Sequence, residues 1–116
     1  MLPKQYRLKK RAAFKATYKV KNSTHSGGVT LFAGVLKKEE CLTKVGFVVS
    51  KKVHKRAVKR NHLKRLMRES YRLLLKENKL GNSQKYLSLI FIGSASALDK
   101  DFKSIKLNIE KVLEKI

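Results

Sequence analysis

"KVGFVVSKKVHKRAVKRNHLKRLMRESYRLL", Lys44 to Leu74, changes its periodicity part-way along, and that change decides the fold. From Lys44 to Ser50 the side chains alternate, with Val45, Phe47 and Val49 on one side and Gly46 and Val48 on the other, which is the pattern of a strand. From roughly Lys55 to Asn78 the apolar residues recur three and four apart, which predicts a long helix. A helical residue turns about 100°. With Asn61 as origin, Leu63, Leu66, Met67, Ser70, Leu73 and Leu74 fall within about 60° of the opposite direction. Arg60, Lys64, Arg65, Arg68 and Arg72 share the side of Asn61. One side is predicted to pack on a sheet; the other presents five cations.

Working outward, "RAAFKATYK", Arg11 to Lys19, predicts a short helix after a basic N-terminal arm (residues 1–10), with Phe14 and Tyr18 four apart on one face. "NSTHSGG" breaks it, and part of that segment suits a short edge strand. "VTLFAGVL", Val29 to Leu36, is rich in strand formers, and "KKEEC" supplies a polar turn. "YLSLIFI", Tyr86 to Ile92, is nearly continuous in apolar residues, as a buried central strand requires. After "GSASALD", Asp99 is the expected cap of a last helix, Lys100 to Lys115, whose stripe is Phe102, Ile105, Ile109, Val112 and Leu113. The order predicts an α/β sandwich, with helices packed on a small mixed sheet. At 116 residues, with no repeat or linker, a single domain over 1–116 is expected.

Hydrophobic residues make up 42% of the chain, so its charge sits on something that folds. That charge is +21, and it is uneven: Met1 to Arg68 holds twenty Lys or Arg and two acids, Glu39 and Glu40, against nine bases and six acids in the remainder. A polyanion partner follows, with nucleic acid the first candidate and an anionic membrane the second. Cys41 is the only cysteine, which excludes an internal disulfide and a cysteine metal cage and suits a reducing interior. "MLPKQYRLKK" carries no apolar run resembling a signal peptide, and no segment approaches bilayer length, so a soluble, cytoplasmic protein is expected.

Solvated helix faces usually mix charge signs, because opposite charges at i,i+4 help a helix and like charges hurt it. Here Arg60, Lys64 and Arg68 make a like-charged ladder that Arg72 continues, and only Glu69 offers relief. A partner that removes the repulsion explains such a helix. Four of the five cations are Arg, which grips phosphate bidentately and stacks on bases. Lys51, Lys52, Lys55 and Arg56 gather at the helix entrance, where the dipole also favours anions.

These residues resemble the signature region of the bacterial ribonuclease P protein subunit: a strand ending in Ser/Ala-Lys-Lys, then Ala-x-x-Arg-Asn-x-x-Lys-Arg-x-x-Arg-Glu. Ala57, Arg60, Asn61, Lys64, Arg65, Arg68 and Glu69 match the latter position by position. "YRLKKRAAFKATYK" is similar to the family's opening segment. The resemblance implies an αβββαβα fold like the second domain of ribosomal protein S5, with a left-handed strand-helix-strand crossover against the usual rule. It further implies a small protein that joins a large catalytic RNA to remove the 5′ leader from precursor tRNA, hydrolysis being carried out with Mg²⁺ held mainly by the RNA. No obligate protein partner is implied. By resemblance, Lys51, Lys52, Arg60, Asn61, Lys64, Arg65 and Arg68 contact the catalytic RNA, while Phe14, Tyr18 and Phe32 hold the single-stranded leader. Two departures stand out. His62 replaces a usual Arg or Lys, and "KYLSLIFIGSAS" lacks the family's basic residue just past the strand.

Taken alone, Phe14 and Tyr18 read as core, and the resemblance reverses that. His25, His54 and His62 read as surface or RNA-facing side chains rather than a zinc site. No nucleophile-base pair or catalytic carboxylate pair stands out. The rival readings are a structural RNA-binding protein of ribosomal type, a membrane binder and a duplex-DNA reader. The ribosomal type does not require the Arg-Asn spacing, and a membrane helix would expose the apolar side that here covers the sheet.

Overall fold

The computed structural model describes residues 2–116; Met1, the first residue of the expected domain, lies outside them. The elements are α1 (Arg11–Lys19), β1 (Asn22–Ser26), β2 (Val29–Ala33), β3 (Lys44–Val48), α2 (Ala57–Lys76), β4 (Ser88–Gly93) and α3 (Phe102–Glu114). The sheet order is β1-β2-β4-β3. β2 is antiparallel to both β1 and β4, whereas β3 and β4 are parallel neighbours joined through α2. The expected αβββαβα order and mixed sheet are present.

The "SGG" read as a helix break is the turn of the β1–β2 hairpin. Gly27 and Gly28 have φ of +55° and +89°, the two positive values that a tight primed turn between twisted strands demands. The segment before it is an edge strand. β2 stops at Ala33 rather than Leu36, and Val35 and Leu36 run on exposed, held by a bond from Leu87 N to the Val35 carbonyl and a bridge from Leu36 to Tyr86. α2 spans Ala57–Lys76, inside the expected Lys55 to Asn78, and Asn78 itself turns left-handed at φ +58°.

A correction falls on α3. Asp101, not Asp99, caps it, accepting a 2.9 Å bond from Ser104 N. Asp99 is too early because the chain just before it is spent in a 3-10 turn over Ala95–Ala97, with Lys100 N bonded to the Ala97 carbonyl. The basic arm is not loose. Leu2 is buried, and Leu8 N donates to the Val45 carbonyl at 2.9 Å along the outer edge of β3.

The core lies between one sheet face and the pair α2 and α3. Val29, Leu31 and Ala33 of β2, Leu89 and Phe91 of β4, and Val45 of β3 meet Leu63, Met67, Leu74, Ile105, Ile109, Val112 and Leu113. Leu66 and Leu73, assigned to the buried stripe, are only half-buried, while Tyr71 is fully enclosed. α2 buries a wider arc than its sheet contact requires because it also packs on α3. Tyr71 stands 5.7 Å from Phe91 and 6.3 Å from Phe47, ring centre to ring centre. Its hydroxyl accepts a 3.0 Å bond from Gln84 Nε2.

Burial pushes the Tyr71 phenol up to about 12, with the Gln84 bond opposing. The folded pKa lies above the unfolded value near 10, so the stability it carries is complete below pH 10 and lost as the pH rises towards 12. Up to about 3 kcal/mol is involved. Urea unfolding from pH 8 to 11.5 should therefore show an alkaline loss in the native chain that Tyr71→Phe reduces; equal slopes would contradict it.

Candidate RNA interface

β3 ends at Val48, and a turn carries Lys51 and Lys52, both exposed, to the start of α2. Val53 N bonds to the Ser50 carbonyl at 3.0 Å, and Arg56 N to His54 Nδ1 at the same distance, which shape the entrance and leave Lys55 and Arg56 exposed. The first turn of α2 has no acid and no side-chain cap. Its free N–H groups, the positive end of the dipole and four cations thus act together at one place.

Along α2, Asn61 and Arg65 are exposed, and Arg60, Lys64 and Arg68 are half-buried along their stems. Among the described residues none of these five forms an ion pair or a side-chain hydrogen bond. Arg72 differs: its Nε donates to Glu69 at 3.0 Å, and a second nitrogen completes the ion pair. The guanidinium holds the Glu69 carboxyl below the usual carboxylate range. The relief expected from Glu69 therefore goes to Arg72. His62 is exposed beside Asn61.

The second part of the site lies on the other sheet face. Period two places Phe32, Ile90 and Gly46 there, and α1 lies across them. Phe14 rests on Gly46, where a Cβ would stand 2.5 Å from the ring. Tyr18 meets Phe32 edge-on at 5.1 Å. Thr17 Oγ1 lies 2.6 Å from Ser88 Oγ, which anchors the helix. All three aromatics are half-buried, so each has a packed edge and an open one. Burial raises the Tyr18 phenol above its ordinary value.

Arg68 links the two parts. With Arg7, Phe14 and Gly46 it lines a recess of about 230 Å³ at the β3 edge. Lys51 to Arg56 stand apart, at the other end of a rise of about 18 Å along α2. Three residues of the cleft were not singled out by sequence: Thr30, Val48 and Ile92, half-buried on the same face. Alternation from Phe32 marks Thr30, but Val48 and Ile92 need the strand register. Another hollow, of about 620 Å³, lies on the far flank of α1 among Ala13, Gly34, Leu42 and Leu87; it is walled mostly by carbon and lies away from the cation ladder.

A family model described as ribonuclease P matches residues 2–116. The chain belongs to the ribonuclease P protein family. A ribonuclease P protein component of a Synechococcus species is 35% identical over 99% of this chain and 84% of its own length. One from Clostridium botulinum, strain Langeland, is 34% identical over 97% and 95%. Among solved structures, a Staphylococcus aureus RNase P protein superimposes with a TM-score of 0.78 at 29% identity, covering 97% of this chain and 95% of that one. The Thermotoga maritima RNase P protein, at 21% identity and a TM-score of 0.77, bears on the fold alone. Membership makes the chain a component of a tRNA-processing ribonuclease complex with an RNA partner. No helix among the described residues is long and apolar enough to cross a membrane.

The ladder should cost the free protein stability. Lys64→Gln removes two like-charged i,i+4 pairs and is expected to stabilise by about 0.4–1 kcal/mol in low-salt urea unfolding, the gain fading in high salt. A loss at low salt would show that Lys64 contributes packing rather than repulsion.

Proposed function

We propose that this chain is the protein subunit of ribonuclease P and that it holds the catalytic RNA with one surface and the 5′ leader of precursor tRNA with the other. The observation that carries this is the meeting of an unpaired cation ladder and an open aromatic cleft at Arg68. Lys51, Lys52, Lys55, Arg56, Arg60, Asn61, Lys64, Arg65 and Arg68 take the catalytic RNA, since cations on a rigid helix match the shape and phosphate pattern of folded RNA. Phe14, Tyr18 and Phe32 take the leader, because rings flanked by cations bind an unpaired strand without reading its sequence. In this reading residues 1–116 act as one RNA-binding domain in the cytoplasm, without a membrane or an obligate protein partner.

Among the described residues no three of His, Cys, Asp and Glu come together to hold a metal ion. We assign Mg²⁺ mainly to the RNA subunit, where it would supply the chemistry of phosphodiester hydrolysis. The protein's part is affinity and discrimination: it adds binding energy for a precursor that a mature tRNA, lacking a leader, does not receive.

Reconstitution tests the reading. Added to a bacterial ribonuclease P RNA at low Mg²⁺, the protein should stimulate 5′ leader removal, and absence of stimulation would overturn it. RNA affinity should fall steeply with salt, by roughly 10³–10⁵ between 50 and 200 mM if about 6–10 phosphates are met.

A separate outcome is expected of the cleft. Replacing Phe14 and Tyr18 together by Leu should weaken precursor binding by the assembled particle while sparing mature tRNA binding and RNA assembly. Equal losses in all three would make the rings core residues only.

A further inference from the structure

The sheet face that carries Phe32 continues beyond the three aromatics. His25 stands opposite Thr30, Thr30 opposite Ile92, and Ile92 opposite Val48, so these four side chains form one row across β1, β2, β4 and β3. α1 leaves the row open: Val48, Ile92 and Thr30 are half-buried and His25 is exposed. Three strand spacings of 4.7–4.9 Å make the row about 14 Å long, room for several bases stacked at roughly 3.4 Å. Its β3 end adjoins the recess of Phe14, Gly46 and Arg68. Its β1 end is His25.

His25 is held for use. Its Nδ1 lies 3.0 Å from Thr30 Oγ1, which orients the ring. Nε2 is left without a partner among the described residues. Lys115 Nζ donates to the His25 carbonyl at 2.8 Å and ties the edge strand to the end of α3. A planar ring with one nitrogen fixed and the other free offers a face for stacking and a group for hydrogen bonding. The same row supplies Val48 and Ile92 as an apolar floor.

We infer that His25, positioned by Thr30, forms a terminal subsite for one unpaired nucleotide of a single-stranded RNA lying along this row, its base stacked on the imidazole and its backbone bonded to Nε2. This rests on the leader reading of the cleft and deepens it, because it gives the strand a direction across the sheet, from Arg68 to β1, and a far end.

The test uses the assembled particle and precursor tRNAs whose leaders are shortened one nucleotide at a time. His25→Ala should weaken binding of long-leader precursors by about 5- to 150-fold, the range for losing one base–ring stack, with no effect on the shortest leaders or on mature tRNA. Thr30→Val, which keeps the shape of the floor and frees the ring, should give a smaller loss with the same dependence on length. A loss that is equal at every leader length would make His25 structural and overturn the subsite. No loss at any length, where Phe14→Leu with Tyr18→Leu does lose, overturns the subsite and leaves the leader cleft standing. No loss in either variant overturns both.

Discussion

Burial of one side of α2 is the constraint on which the rest depends. Leu63, Met67, Tyr71 and Leu74 are enclosed, and Tyr71 completes an aromatic cluster with Phe47 and Phe91, whose rings stack at 5.6 Å. A helix is stiff, so fixing the direction of its buried side also fixes that of Arg60, Asn61, Lys64, Arg65 and Arg68. The fit is close: a Cβ on Gly93 would stand 2.7 Å from Leu63 Cδ2. Removing a buried leucine side chain typically costs 2–5 kcal/mol. In this chain it would also loosen the orientation of the cations.

The two sheet faces are used differently. The face beneath α2 and α3 is filled by branched and aromatic side chains. Across the other, among the described residues, lies α1, nine residues long, with Leu8 of the arm beside it at Gly46, and together they are too short to cover four strands. Small residues let it come close where it does make contact: Gly46 accepts Phe14, and Gly34 leaves room for Ser88 beneath Thr17. What α1 leaves uncovered is a half-apolar shelf edged by cations. A compact domain ordinarily buries such a surface, so its exposure points to a partner.

The charge is tolerated because it lies on elements held by the core rather than by ion pairs. The acids of α2 and its C-cap are committed within the fold: Glu69 to Arg72, and Glu77 to Lys106 of α3 at 3.0 Å. Lys106 holds the Glu77 carboxyl below its usual range and joins the end of α2 to α3. These pairs are made with Arg72 and Lys106, and Arg60, Lys64 and Arg68 stay available to a polyanion.

The sequence by itself determined the order of elements, the buried and cationic sides of α2, and the Lys-Lys and Arg-Asn spacing that marks the family. Those are properties of period and local chemistry, carried by neighbouring residues. It placed element ends less well, because Asp99 and Asp101 are equally good caps until the preceding turn has used up the chain, and Asn78, the expected last residue of α2, is itself left-handed. Tyr71 lies outside the predicted stripe for a different reason: a helical wheel describes one contact, and α2 makes two. Only the tertiary structure decided that Arg68 stands beside Phe14, and that His25, Thr30, Ile92 and Val48 share a row. The first pair come from two helices on opposite faces of the sheet and the row from four strands paired in a register set by packing of both faces, and no local pattern within any one element records who lies across from it.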